Sequence, residues 1–123
     1  MAARGNVIIV EDEFLIMEDM CELCEEIGLN VVGTADEADQ AVDVIMAAKP
    51  DFVLLDLRLR GEKDGVDVAH AIKPHLPATT VIFVTGSNEP SAVDRIRSTY
   101  PFQILSKPLD HSLLSRAVTA SEL

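Results

Sequence analysis

The runs Val7-Ile8-Ile9-Val10, Phe52-Val53-Leu54-Leu55 and Val81-Ile82-Phe83-Val84 carry apolar residues without interruption. A strand wetted on one face alternates apolar with polar, so unbroken runs predict strands covered on both faces, as in a parallel sheet. Weaker runs near residues 29–34 and 102–106 predict two more. Between the strands the apolar spacing becomes helical. Ile16, Met20, Leu23 and Ile27 form one stripe, with Phe14, Met17, Cys21 and Cys24 on the adjoining ridge and Gly28 as the stop. A second helix over residues 36–48 carries Ala38, Ala41, Val42, Ile45 and Met46, and Lys49-Pro50 ends it. A third, with Val66, Val68, Ala69 and Ile72, runs to about Leu76. A fourth starts near Asn88 to Ser91 with Pro90 in its first turn, and its apolar face is thin, mainly Val93 and Ile96. The last, from Asp110, carries Leu113, Leu114, Ala117 and Val118. Five strand-then-helix units without repeats predict an α/β fold, a flavodoxin-like (βα)5 three-layer sandwich around a five-stranded parallel sheet.

Composition narrows the picture. A chain of 123 residues predicts one domain over 1–123 with no output domain, and its 48% hydrophobic content is enough for a core. No apolar run approaches the roughly 20 residues of a membrane span. Met1-Ala2-Ala3-Arg4-Gly5 leads directly toward a strand and does not read as a signal peptide, so a cytoplasmic location is expected. The formal charge of −11 repels phosphate backbones, which argues against direct nucleic-acid binding. Cys21 and Cys24 lie mid-helix among apolar neighbours and read as buried thiols. His70, His75 and His111 are isolated on helices and indicate no metal cluster, while Arg95 and Arg97 read as a solvated face, with part of a partner surface as the alternative on so acidic a chain.

In open parallel sheets, ligands collect outside the carboxyl ends of the strands. The first strand ends in Glu11 and Asp12, the third in Asp56, the fourth in Thr85 and the fifth in Lys107. With a strand order of 2-1-3-4-5 the first and third strands are neighbours and the acids converge. Carboxylates that close raise one another's pKa unless a cation neutralises them, and oxygen-only ligands suit magnesium. A threonine hydroxyl and a lysine ammonium suit the oxygens of a phosphoryl group, with Asp56 as nucleophile. Each residue alone has a plainer reading: acids cap helices, a threonine caps a turn and a lysine is solvated. All five falling at strand ends in complementary roles favours the chemical one.

The stretches Val7-Ile8-Ile9-Val10-Glu11-Asp12-Glu13, Lys49-Pro50-Asp51-Phe52-Val53-Leu54-Leu55-Asp56-Leu57, Asp64-Gly65, Val84-Thr85-Gly86 and Ser106-Lys107-Pro108 resemble the receiver domains of bacterial two-component response regulators. The resemblance covers essentially the whole chain. It implies that Asp56 is the phosphoacceptor, that Asp12 binds Mg2+ directly and Glu11 through water, and that the Arg58 backbone carbonyl is the other protein ligand. It further implies that Thr85 turns toward the phosphoryl group, that Lys107 pairs with it and that Lys107-Pro108 is cis. The phosphodonor would be a histidine kinase or phosphotransfer protein. The chain would be no enzyme beyond self-phosphorylation and autodephosphorylation.

Two departures qualify the resemblance. The loop Leu59-Arg60-Gly61-Glu62-Lys63 lacks the proline common in receivers and looks one residue longer, which suggests greater mobility. The switch position, usually Tyr or Phe, is Ile104, with Tyr100 and Phe102 nearby. Phosphorylation would then be read out through the fourth helix, as in the aromatic-lacking subset of stand-alone receivers, some with a Phe-x-Thr-Gly stretch such as Phe83-Val84-Thr85-Gly86. The expected function is a magnesium-dependent receiver that acts through protein contacts with an unknown downstream partner, or serves as a relay or phosphate sink. Two alternatives stay open. A phosphatase with a strand-end aspartate nucleophile needs a second acid two residues on, where this chain has Arg58. A phosphate-independent binding module draws its support from Ile104.

Overall fold

The computed structural model describes residues 4–123, so the reading made on Met1-Ala2-Ala3 lies outside the described residues. Strands and helices alternate throughout: β1 (Gly5–Val10), α1 (Phe14–Glu26), β2 (Leu29–Ala35), α2 (Ala38–Ala48), β3 (Phe52–Leu55), α3 (Gly65–Ile72), β4 (Thr80–Thr85), α4 (Pro90–Arg97), β5 (Gln103–Ser106) and α5 (His111–Ser121). All strand pairings are parallel and the order is β2-β1-β3-β4-β5. The unbroken apolar runs have the expected cause. Ile8, Val10, Val53, Leu55 and Phe83 face a core closed by α2, α3 and Ile96 of α4. Val7, Ile9, Leu54, Ile82 and Val84 face the opposite core, closed by Met20, Cys24 and Ile27 of the α1 segment and by Leu114, Ala117 and Val118 of α5. Covering both faces leaves no polar position in β3, whose four residues are all buried.

Several expectations are corrected at element ends. Phe14 opens α1 but is 64% exposed, so it does not extend the buried ridge. Cys24 is buried whereas Cys21 is only half-buried, since a residue three positions away is rotated toward the rim of the core contact. The third helix stops at Ile72 rather than Leu76, and His75 lies in the turn that follows. The loop after Asp56 is anchored rather than loose: Leu57 and Leu59 are buried, and the Arg60 amide donates to the Asp36 carbonyl at 3.0 Å. Arg95 is not simply solvated, because its guanidinium pairs with Asp64 across the α3–α4 gap.

One close approach fixes the relation between β3 and α3. Asp64 caps α3, its side chain accepting from the Val66 and Asp67 amides, and Asp67 returns the bond to the Asp64 amide. That turn sets the backbone of Gly65 against the end of β3. The Gly65 amide donates to the Leu57 carbonyl at 2.8 Å, and a Cβ on Gly65 would sit 2.2 Å from the carbonyl oxygen of Asp56. Only a residue without a side chain fits there. Gly65→Ala is therefore expected to lower the urea midpoint, with a loss on the order of 1–3 kcal/mol. An unchanged midpoint would show that the two backbones separate freely.

Candidate functional site

The carboxyl ends of β1, β3, β4 and β5 open into a cleft of about 480 Å3 lined by Asp12, Glu13, Asp56, Arg58, Thr85, Ser87, Glu89 and Lys107 among others. Parallel pairing of β1 with β3 puts Val10 opposite Leu55, so Glu11 and Asp56 leave adjacent strands side by side. The Asp56 amide donates to the Val10 carbonyl at 3.0 Å and continues the ladder to the nucleophile candidate itself. Glu11, Asp12 and Asp56 each bring a carboxylate oxygen within 4.8 Å of the others. Lys107 reaches in from the end of β5, where its amide donates to the Thr85 carbonyl. Its Nζ donates to Asp56 Oδ2 at 3.1 Å and lies 2.8 Å from Glu11 Oε2. The second contact is a close ion pair, and the Lys107 ammonium is the group that Glu11 Oε2 meets.

The structure thus brings together Glu11, Asp12, Asp56 and Lys107, with Thr85 and Arg58 on the wall of the same cleft. Thr85 Oγ1 accepts from the Ser87 amide at 3.1 Å, so the hydroxyl hydrogen stays available for another acceptor. The Lys107-Pro108 peptide is cis. His70, His75 and His111 take no part in the cleft, and neither does Cys21 or Cys24. Ile104 packs against the α2–α3 side of the core, while Tyr100 is 83% exposed and Phe102 is also exposed. Sequence reasoning missed Gly65 as a support of the site. The Asp64-Gly65 dipeptide was its visible trace, but the contact with Asp56 spans a loop and cannot be read from spacing.

Charge in the cleft is unbalanced: three carboxylates face one ammonium. Burial pushes the Asp56 carboxyl above its ordinary pKa, and the attraction of Lys107 only partly offsets this. Glu11 is raised as well, first by burial and then by repulsion from Asp56, against the pull of Lys107. For Lys107 burial works against the charge, yet Glu11 and Asp56 outweigh it and hold the ammonium to higher pH than usual. A cluster of hard oxygen ligands with excess negative charge, in which the buried Glu11 Oε2 meets only the Lys107 ammonium, fits a small divalent cation such as Mg2+.

Comparison with known proteins agrees with this geometry. A sequence model described as the response regulator receiver domain matches residues 7–119. The chain belongs to that family. It is 34% identical over 117 residues to the transcriptional regulatory protein PdtaR of Mycobacterium tuberculosis, covering 95% of this chain and 56% of the relative. It is also 34% identical over 115 residues to an uncharacterized response regulatory protein of Yersinia pestis, covering 93% of this chain and 47% of that one. The chain therefore spans about half the length of these relatives. Among solved structures, the signal receiver domain of a modulated diguanylate cyclase from Desulfovibrio desulfuricans superposes with a TM-score of 0.88 at 30% identity, over 95% of this chain and 92% of that one. The receiver domain of NarL from Mycobacterium tuberculosis gives 0.87 at 28% identity over 98% of both chains. Among the described residues, no helix is long and apolar enough to cross a membrane.

The raised carboxylates have a sign-determined consequence. A carboxyl whose folded pKa exceeds its unfolded value binds its proton more tightly in the folded state, so stability falls as pH rises from the unfolded pKa through the folded one. In chelator, wild type is expected to lose stability relative to Asp56→Asn as pH rises above about 4, and excess Mg2+ should shrink that loss. Urea midpoints over a pH series test this; a difference independent of pH in chelator would contradict it. With Mg2+ at 100 times its dissociation constant, wild type should gain about 2.7 kcal/mol and Asp12→Asn much less.

Proposed function

We propose that this receiver takes a phosphoryl group onto Asp56 from the phosphohistidine of a histidine kinase or phosphotransfer protein, and signals through protein contacts. The observation that carries the reading is the surroundings of Asp56. It is 4% exposed at the floor of an open cleft, bonded to Lys107 Nζ at 3.1 Å and flanked by Glu11 and Asp12. An Asp56 carboxylate oxygen attacks the phosphorus; an O–P bond forms, the P–N bond to the donor imidazole breaks, and the electron pair leaves on that nitrogen. Proximity and charge neutralisation do most of the work in such transfers. Lys107 follows the charge as it moves outward onto the phosphoryl oxygens, and the Thr85 hydroxyl donates to one of them. Asp12, Asp56 and the Arg58 carbonyl would hold Mg2+, with Glu11 acting through water. When bound, the cation neutralises the excess acid charge and the phosphoryl oxygens.

Ile104 favours a second reading, a receiver fold that binds partners without phosphorylation, because no aromatic side chain occupies that position. The two readings separate in one measurement. Incubation with acetyl phosphate and Mg2+ followed by intact mass measurement should give one phosphoryl adduct on wild type and none on Asp56→Asn. Wild type that stays unmodified where other receivers are labelled would favour the phosphate-independent module.

A further inference from the structure

We propose that Arg95 is a positioning residue for the Asp56 site, acting from α4 through Asp64 and Gly65. This rests on the phosphoacceptor reading for its consequence, although the contacts themselves do not. Arg95 Nη1 donates to Asp64 Oδ2 at 2.5 Å, and Nη2 approaches Oδ1 at 3.5 Å. The same Asp64 carboxylate accepts from the Val66 and Asp67 amides at 3.0 and 3.2 Å, so one side chain both caps α3 and receives the guanidinium. The next residue is Gly65, which bonds the Leu57 carbonyl and whose Cα abuts the Asp56 carbonyl. Arg95 thus stands one side-chain contact and one backbone contact from the peptide that carries Asp56, and the loop from 56 to 58 includes the candidate carbonyl ligand of Arg58.

The ion pair matters because so little else holds α4. Ile96 is the only buried residue of that helix, and its N-cap, Glu89, makes no side-chain capping bond. Beyond Ile96, the half-buried Ala92, the Lys73 bonds to the Thr99 and Tyr100 carbonyls past its end and the Arg95 ion pair, the helix has few contacts to lose when it shifts. Arg97, on the same helix, makes no ion pair among the described residues, so the fastening is specific to position 95. Coupling between sites is reciprocal. A partner that draws Arg95 away from Asp64 would loosen the Asp56 loop, and a ligand that fixes the loop would hold Arg95 in place.

The test compares Arg95→Gln with Arg97→Gln, which removes the same charge from the same helix without touching Asp64. Two readouts are taken: the Mg2+ dissociation constant by calorimetry, and hydrogen exchange at the Gly65 amide in protein without Mg2+. Arg95→Gln should weaken Mg2+ binding about threefold relative to Arg97→Gln, within the range an exposed ion pair allows, and speed exchange at Gly65 by a similar factor. Arg95→Lys should recover most of both. Asp64→Asn keeps a capping oxygen but not the charge, so it should reproduce Arg95→Gln, and the double variant should be no worse than either alone. If Arg95→Gln matches Arg97→Gln in both readouts, or merely lowers the urea midpoint, the proposal is overturned. Should wild type bind no Mg2+, the phosphoacceptor reading fails instead, and exchange at Gly65 alone then decides whether Arg95 positions the loop.

Discussion

The interaction on which the site depends is the reach of one ammonium group into a pocket of acids. Lys107 meets both Glu11 and Asp56, which come from neighbouring strands and would otherwise repel each other at close range. Its charge offsets part of the burial that disfavours an ionised Asp56, and a single cation leaves the cluster still negative. The cluster therefore holds more carboxylate than positive charge, a balance of hard oxygen ligands that suits a divalent ion. Removing the charge of either Asp56 or Lys107 changes what the remaining groups need, so single substitutions here report on the cluster as a whole.

Much of this could be read before any coordinates, and for a definite reason. The strands are short and covered on both faces, so β1, β3 and β4 had to appear as unbroken apolar runs, and the residue after each run had to fall at the mouth of the sheet. Period and strand ends are local properties. What stayed hidden depends on contacts across loops. The burial of Leu57 and Leu59 ties down a loop whose composition looked mobile, because two leucines in a polar stretch reveal nothing about the core they enter. The Asp64–Arg95 pair joins residues 31 positions apart, with no periodic signal between them. Phe14 shares the apolar spacing of α1, yet Phe14 and Leu15 stand outside the core that Ile16 and Met17 of the same turn reach.

The position of Ile104 bears on how the domain communicates. A half-buried aliphatic side chain packed on the α2–α3 side of the core lacks the large two-position swing of a ring. The aromatic side chains closest in sequence stand outside, Tyr100 with positive φ and Lys73 over its face at 5.7 Å. Rearrangement after loading of the site would have to travel through backbone contacts and the lightly held α4. The connections through Gly65 and Asp64 supply such a route.

The hydroxyl of Thr85 has two claims on it. At rest its oxygen serves as the acceptor for the Ser87 amide, at the turn where β4 hands the chain to the segment before α4. Swinging that oxygen toward an incoming anion would strand an N–H group, and a stranded amide must find water or a new carbonyl. A hydroxyl that only gives its hydrogen away leaves the Ser87 bond intact, whereas one that rotates out of reach obliges the turn at residues 86–89 to rearrange at the base of a neighbouring helix.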